Sequence, residues 1–396
     1  MRHSSSTTSS KLWSQWLLVW LGIIVAVLTL IILYPQVLVH QNEEFNDVYE
    51  QILAVQAISD HGPWNLYSIF YLLVYTLSFG SRNIYILIYV TIGLLMASVT
   101  AKWLLSYRVL EKTSHSRLLA MSISLGLVLV MPLPNWWKPD QIYIDKIAPN
   151  IWFDATTILT TPFAILLFFS ALRWLEALTL RTFIWVAVST LLSVLTKPNY
   201  VLAFYPILGL VVLIRAASKG RHDTRRALLL YTGLGLVLCG ILYFQYLDTI
   251  AKAGVWADPT VSKESAHVVF APLAVWSLYS PNIPASLLLS LVFPLSVVAL
   301  YFKEVKTNAG IGLAWSVLAI AILQYALLAE TGMNFGAANW SWGSNIAMYL
   351  LFLVSASVVV SQQRSPRFYF VMTFFCLHLV SGIYHYVKLT LGGGYF

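Results

Sequence analysis

Apolar runs alternate with short polar segments along the whole chain. The runs are roughly 14–22 residues long, and the longer ones match the roughly 20 residues with which an α-helix crosses a bilayer. About eleven of them are predicted spans: Trp13–Tyr34, Ile84–Leu105, Leu118–Leu133, Ile158–Leu178, Thr182–Leu195, Val201–Ile214, Leu228–Tyr246, Ala285–Tyr301, Ile311–Leu328, Asn345–Ser361 and Phe368–Tyr386. The pattern therefore predicts an all-α polytopic membrane protein, with short interfacial or re-entrant helices in its external loops.

The composition excludes an ordinary soluble domain. Hydrophobic residues make up 59% of the 396 residues and charged residues only 10%, whereas average usage is about 25% charged residues. Residues 1–12 form a Ser/Thr-rich tail that we predict to be disordered and cytoplasmic, because it has too little apolar surface to fold. Residues 13–396 are predicted to form a single transmembrane domain, whose first run is a retained signal anchor.

Cysteine usage and net charge point to no other class. Cys239 and Cys376 both lie inside apolar runs, which predicts packed thiols and neither a disulfide nor a metal site. The net charge of +8 comes from basic clusters between the apolar runs. Clusters in that position are typical of membrane topology and do not indicate nucleic-acid binding.

The run Trp64–Phe79 decides the topology, because every later loop changes side if it crosses the membrane. If it is re-entrant or interfacial and the N-terminus is inside, the basic clusters around Arg108, Arg221, Lys303 and Arg364 all face the cytoplasm. This is the bias that the positive-inside rule describes, and the opposite choice inverts it. We therefore predict a multi-pass protein of the inner (plasma) membrane with a cytoplasmic N-terminus.

Four loops are external under this topology. They are residues 35–83, 134–157, 247–284 and 330–343, and they contain 12 of the 16 acidic residues. The internal loops are short and basic. Chemistry is therefore expected at the outer face of the membrane, where polar and aromatic side chains collect.

The first external loop carries carboxylates directly after the first span. Asp47 and Glu50 fall at helical spacing within Asn46–Ile58, which predicts an amphipathic helix along the membrane surface. Glu43 and Glu44 precede it. Each carboxylate alone is explained by hydration, but a cluster beside the bilayer suits removal of a proton from a hydroxyl. Asp47, Glu44 and Glu43 are therefore the candidate catalytic residues.

The second external loop, MPLPNWWKPDQIYIDKIAPNIWFDAT, interleaves aromatic and polar residues. Its tryptophans are explained by an interfacial aromatic belt, but the same rings would also stack on sugars or hold a lipid tail. A loop of this kind is costly to keep ordered unless it binds something. Its candidate substrate-binding residues are Lys138, Asp140, Lys146, Asn150 and Asp154.

Lys197-Pro198 interrupts the apolar stretch between Thr182 and Ile214. Proline explains a break between two helices, but the break does not require a lysine. A cation at membrane depth costs about 2.5–3.5 kcal/mol and usually faces a cavity or a partner. Lys197 is therefore a further candidate for substrate binding.

The fourth external loop, ETGMNFGAANWSWGSN, is rich in glycine, amide and aromatic residues. Glycines let the backbone turn tightly or approach a ligand, and the other side chains offer amide and ring contacts. A helix cap with belt tryptophans is the alternative interpretation. The candidate substrate-binding residues here are Glu330, Asn334, Asn339, Trp340 and Trp342.

The layout of a carboxylate-bearing loop after the first span, many helices and long aromatic external loops resembles the GT-C superfamily of polytopic glycosyltransferases. The segments NDVYEQILAVQAI, PNIWFDATTILTTPFAIL, LTKPNYVLAFYP and NFGAANWSWG are similar to uncharacterised bacterial membrane proteins associated with surface-polysaccharide synthesis. The resemblance covers most of the chain in layout but rests on these short motifs.

The resemblance implies transfer of a sugar from a polyprenyl-phosphate or polyprenyl-diphosphate donor to a hydroxyl of a saccharide or glycolipid acceptor. In that family an Asp or Glu of the first external loop typically acts as general base, a role that falls here on Asp47. Glu43 and Glu44 remain rivals, since the paired-acid pattern of the family is not matched cleanly. Cations would neutralise the departing phosphate. No cofactor is required by the sequence, and a divalent cation is one candidate, although no ligand spacing demands it.

A transporter or flippase for a lipid-linked saccharide is the main alternative, and a repeat-unit polymerase or a non-catalytic assembly subunit are others. Proton-coupled transporters generally place Asp, Glu or His within helices near the midplane. Glu176 is the one acidic residue within the predicted spans, and it lies beside Arg173 near an inner end. This distribution favours chemistry in the loops.

We predict that cysteines introduced at positions 47, 137, 259 and 334 react with a membrane-impermeant thiol reagent in intact cells. Cysteines at positions 221 and 364 should react only after the membrane is opened, because the basic clusters around them are retained inside. Labelling should be done in a Cys239→Ser/Cys376→Ser background. Reaction at 221 but not at 137 would contradict the whole arrangement.

Overall fold

The computed structural model describes residues 6–38, 47–61, 68–135, 145–218, 221–252 and 267–391. Helices make up most of the described chain. They are α1 (Ser6–Leu38), α2 (Asp47–His61), α3 (Ile69–Leu77), α4 (Ile84–Thr113), α5 (Arg117–Leu129), α6 (Ala155–Ala177), α7 (Leu180–Thr196), α8 (Asn199–Ser218), α9 (Arg221–Lys252), α10 (Ala274–Tyr279), α11 (Ile283–Leu300), α12 (Phe302–Thr307), α13 (Ala309–Leu327), α14 (Ser341–Val360) and α15 (Pro366–Thr390). Two short strands, β1 (Val268–Phe270) and β2 (Leu328–Glu330), pair antiparallel.

The protein is an all-α polytopic membrane protein. In the described chain, eight helices are long and apolar enough to cross a membrane: α1, α4, α6, α9, α11, α13, α14 and α15. Each predicted run overlaps a helix, but the predicted count of about eleven spans is not confirmed. The apolar helices α5, α7 and α8 are shorter, since α5 stops at Leu129 and α7 and α8 meet at Pro198.

Helix boundaries follow from polar residues placed at the ends of the apolar runs. Eight helices begin at a side chain that accepts a hydrogen bond from a backbone N–H of the first turn, as N-caps do. These caps are Ser68, Asn83, Ser116, Asp154, Thr179, Asn282, Asn308 and Ser365. Asp154 is the one acidic member of this set.

The N-terminal helix begins earlier than its apolar run. Helix α1 starts at Ser6, within the predicted tail 1–12. Extending an existing helix by one residue adds a hydrogen bond without the cost of a new nucleus, so Ser and Thr residues can join it.

The segment after α1 forms two helices that pack on the protein. Val48, Ile52 and Val55 of α2 are fully buried, so this predicted surface helix lies against α4 rather than on the lipid headgroups alone. In the run Trp64–Phe79, the described part is the nine-residue helix α3. Nine residues rise roughly 13 Å, which is far short of a span.

Helix α14 is the centre of the molecule. Every residue from Trp342 to Val360 is buried, and the helix packs against α4, α8, α11 and α13. Its first turn approaches α8 closely, because a Cβ on Gly343 would lie 2.7 Å from the carbonyl oxygen of Asn199. A second apolar cluster joins α1, α2, α3 and α4.

The described parts of the four predicted external loops contact one another. Gln51 bonds to Asp154, Trp276 donates to the carbonyl of Asp145, and β1 pairs with β2. At the opposite end, His115 between α4 and α5 contacts the carbonyl of Ser361 between α14 and α15. The fold therefore groups these loops on one face, and which side of the membrane that face occupies stays a prediction.

Candidate functional site

Asp47, Asp154 and Lys197 meet on the face that carries the grouped loops. Asp47 opens α2, Asp154 caps α6, and Lys197 follows the last residue of α7. The three residues are far apart in the sequence, and the packing of α2 against α6 and of α6 against α7 brings them together. Two carboxylates and one ammonium group thus form the candidate site.

Asp154 is held as a carboxylate by a full set of donors. Its Oδ1 accepts from Thr156 Oγ1 at 2.6 Å, from the backbone N–H of Thr157 at 3.0 Å and from Gln51 Nε2 at 3.4 Å. Its Oδ2 accepts from Lys197 Nζ. Burial alone would raise the pKa of Asp154, but Lys197 and these hydrogen bonds outweigh it and lower the pKa. Asp154 is therefore unsuited to accept a proton.

Lys197 is positioned by the break between two helices. Pro198 has no N–H and cannot continue α7, so the chain turns at Lys197 and enters α8. The Lys197 ammonium binds Asp154, donates to Thr156 Oγ1 at 3.2 Å and lies 4.5 Å from the centre of the Trp342 ring. Its side chain retains 14% exposure. A positive charge is thus fixed at the edge of the membrane domain.

Asp47 has the opposite character to Asp154. Burial and the neighbouring carboxylate of Asp154 raise the pKa of Asp47 to about 7, although Lys197 opposes the shift and Glu50 adds to it slightly. A carboxyl with this pKa exchanges protons near neutral pH. Two acids in one site whose pKa values move apart have separate roles, with Asp47 able to take a proton and Asp154 fixed in charge.

Gln51 links α2 to the start of α6, and the sequence interpretation did not single it out as a site residue. Its side chain donates to Asp154 Oδ1 at 3.4 Å and accepts from the backbone N–H of Ala155 at 3.0 Å. Gln51 follows Asp47 by four residues, so both side chains lie on one face of α2. That spacing was the available signal, and its partner on α6 could be known only from the fold.

Residues of the fourth loop reach the same site. Trp342 Nε1 donates to Asn339 Oδ1 at 3.3 Å, and Asn339 Nδ2 donates to Glu330 Oε2 at 3.1 Å. Asn199 donates to the Asn339 carbonyl at 2.8 Å. Glu330, Asn339 and Trp340 also line a small depression beside Tyr325. Asn334 lies within the 3-10 helix Gly332–Ala337.

Lys146 and Asn150 are predicted substrate-binding residues that the structure places inside the protein. Lys146 Nζ binds Asp145 Oδ1 at 2.8 Å, with both side chains almost completely buried. Asn150 donates to the carbonyls of Leu127 and Val130 at 2.9 and 2.7 Å. The polar group of Lys146 is bonded to Asp145 and that of Asn150 to the end of α5, and neither is brought to Lys197.

Four of the predicted site residues, Glu43, Glu44, Lys138 and Asp140, lie outside the described residues. No group of three or more His, Cys, Asp or Glu side chains that could hold a metal ion occurs in the part of the chain that the structure describes. Asp47 would be the carboxylate available to a divalent cation at this site, together with a substrate phosphate, because the oxygens of Asp154 are engaged by four donors.

Comparison with known proteins adds no family. No family model matches the chain, and no curated protein matches it. The assignment of function therefore rests on the residues and their geometry.

We predict that Asp47→Asn reduces the pH dependence of stability between about pH 4 and 7. The pKa of about 7 in the folded state exceeds the unfolded value of about 4. The stability that protonated Asp47 contributes is therefore complete below pH 4 and is lost as the pH rises through 7.

The Tm of the purified protein in nanodiscs, measured across this range, tests the prediction. The wild type should lose stability more steeply than Asp47→Asn, and Glu50→Gln should keep most of the wild-type slope. Equal slopes for wild type and Asp47→Asn would show that the Asp47 pKa is not raised in the folded protein.

Proposed function

We propose that this protein is a membrane glycosyltransferase that moves a sugar from a polyprenyl-phosphate-type donor to a hydroxyl acceptor at the outer face of the membrane. The observation that carries the proposal is the pairing of a carboxyl poised to accept a proton, Asp47, with a fixed cation, Lys197. Transfer of a glycosyl group from a phosphate needs both a base for the acceptor and a positive charge for the leaving group.

The reaction that fits these groups is an inverting displacement. Asp47 takes the proton from the acceptor hydroxyl while the acceptor oxygen forms a bond to the anomeric carbon. The bond from that carbon to the phosphate oxygen breaks, and the lipid phosphate leaves with the electron pair. Asp154 cannot replace Asp47 as the base, because its oxygens are already engaged by four donors.

Lys197 has a donor left for the phosphate. An ammonium group has three N–H donors, and two of them are used among the described residues, by Asp154 and Thr156. Because Asp154 neutralises most of the local positive charge, a phosphate would share Lys197 with Asp154. This arrangement binds a leaving phosphate without holding it so strongly that the product lipid cannot depart.

The aromatic and amide residues beside this pair suit a saccharide. Trp342 contacts Lys197, and Asn339 links Trp342 to Glu330. Ring faces and planar hydrogen-bonding groups are the usual means of holding sugars in orientation. The proposed partners are therefore the polyprenyl-linked donor, the bilayer that holds its tail, and a saccharide or glycolipid acceptor. A repeat-unit polymerase would use the same groups with a longer acceptor.

A transporter or flippase for a lipid-linked saccharide is the second candidate, and one observation favours it. Helix α5 has only 13 residues and is followed by non-helical backbone within the protein. Interrupted helices of this kind often form the binding sites of transporters. Purified protein in liposomes with a labelled polyprenyl-linked sugar separates the two, because a transferase yields a new glycosidic product and a flippase moves the label across the bilayer unchanged.

In this assay, Asp47→Asn should lower the rate of transfer by roughly 10²–10⁴-fold, the range typical of losing a general base. The amide keeps the shape of the side chain but cannot accept the proton. Glu50→Gln, on the next turn of α2, is the matched control and should retain activity. Milder effects are expected for Glu43→Gln and Glu44→Gln. If one of these two matches the loss in Asp47→Asn, the base is that residue.

The role of Lys197 is best tested in a charge-neutral background. Lys197→Met alone would leave Asp154 buried without its cation, a change that typically costs about 3–5 kcal/mol. The double variant Asp154→Asn/Lys197→Met removes both charges and should fold, but we expect it to lose binding of the lipid donor and most turnover.

Lys197→Arg, which keeps the charge, should retain part of the donor binding and part of the turnover. Binding of the polyprenyl phosphate can be measured by native mass spectrometry. A double variant that binds the lipid as well as the wild type would refute a phosphate role for Lys197.

A further inference from the structure

Lys102 is a buried lysine in the middle of a membrane helix. It lies in α4, roughly 27 Å along the helix from Ile84, and its residue is only 7% exposed. A lysine in a span is costly and is normally matched by a partner. A partner is therefore expected for Lys102. In the sequence, Lys102 stands out as a single cation within an apolar run.

The groups around the Lys102 ammonium are neutral. Its Nζ donates to Asn150 Oδ1 at 2.5 Å and lies 3.9 Å from the centre of the Tyr349 ring. The ring is held in place by the hydrogen bond between Tyr349 and Ser106, which is 2.7 Å long. Among the described residues, no carboxylate forms an ion pair with Lys102. A carbonyl oxygen and the face of an aromatic ring both carry partial negative charge. Such surroundings favour a monovalent cation and disfavour an anion.

Asn150 links this ammonium to the C-terminal end of a short helix. Helix α5 ends at Leu129, and the amide group of Asn150 donates to the carbonyls of Leu127 and Val130. Carbonyls at the C-terminus of a helix carry partial negative charge, which favours a nearby cation. Asn150 thus presents its oxygen to Lys102 and its N–H groups to the helix end.

The end of α5 is also fixed from the other side. The N–H of Met131 donates to the carbonyl of His378 at 3.0 Å, and Ser381 donates to the carbonyl of Pro132 at 2.5 Å. A Cβ on Gly382 would lie 1.6 Å from the Leu129 oxygen, so only glycine allows this approach. The end of α5 is therefore fixed in position by its contacts with α15.

We propose that Asn150, held by the end of α5, and the Tyr349 ring form a site for a monovalent cation, and that the Lys102 ammonium is its tethered occupant. Interrupted membrane helices commonly direct their C-terminal carbonyls at a bound cation. Here two carbonyls at the end of α5 accept from the amide group of Asn150, and the Asn150 oxygen accepts from Lys102. The ligand class of the site is an alkylammonium ion. The proposal does not depend on the proposed glycosyltransferase activity.

The test is chemical rescue of Lys102→Ala, read as the Tm of purified protein. The substitution deletes a propylammonium group and should lower the Tm by roughly 2–4 °C, as expected for loss of a charged hydrogen bond in a chain of this length. Millimolar n-propylammonium should restore much of this loss, whereas the neutral isostere 1-propanol should not. Val99→Ala, at another buried position on α4, is the matched control and should respond no more to the amine than to the alcohol.

Two outcomes would overturn the proposal. One is an equal response of Lys102→Ala to the amine and the alcohol, which would make the site an apolar cavity. The other is a Lys102→Met variant at least as stable as the wild type, because the charge would then serve no purpose there. If Lys102→Ala does not fold, the comparison of Lys102→Met with Lys102→Arg decides, and the proposal requires Arg to be the more stable of the two.

Discussion

The ion pair between Asp154 and Lys197 organises the end of the protein at which the four loops meet. It ties the start of α6 to the end of α7, two helices that pack against each other. Both partners are largely buried, so each depends on the other to avoid an uncompensated charge. Gln51 extends the same arrangement to α2, since it bonds to the Asp154 carboxylate and to the first free N–H of α6. This attachment holds α2, and with it Asp47, beside the ion pair.

The same pair separates the roles of the two carboxylates. Lys197 and the cap hydrogen bonds of α6 stabilise the charge on Asp154, and that charge in turn contributes to the high pKa of Asp47. A structural ion pair thus creates a proton acceptor beside it. Since the ion pair also leaves a donor of Lys197 free among the described contacts, one small cluster contains a base and a cation, which are the minimum for transfer from a phosphate.

Polar side chains also satisfy the hydrogen bonds of non-helical backbone inside the helix bundle. The chain leaves α5 at Leu129 and returns through residues 145–154, where its backbone groups would be unsatisfied in hydrocarbon. Asn150, Ser290, Asn345 and His378 supply hydrogen bonds to this backbone. The segment 145–154 ends at Asp154. The buried hydrogen bonds around Asn150 and Lys102 therefore help to fix the position of the candidate site.

Sequence alone determined the class of the protein and the places where chemistry was expected. Runs of apolar residues predict helices through a bilayer because backbone groups there must bond within one segment. Breaks such as Lys197-Pro198 and the carboxylates after the first span stood out against that pattern. These signals are local, and they led to Asp47, Asp154 and Lys197 as members of separate loops.

Tertiary structure alone decided which of these residues meet. Helix length did not follow from apolar character, since α5 ends at Leu129 where Asn150 and α15 bond to its backbone. Nor could a sequence tell that four donors bond to Asp154 while burial raises the pKa of Asp47, or that Lys146 is enclosed with Asp145. Burial and charge interactions depend on distances between helices, and those distances are set by packing of residues far apart in the chain.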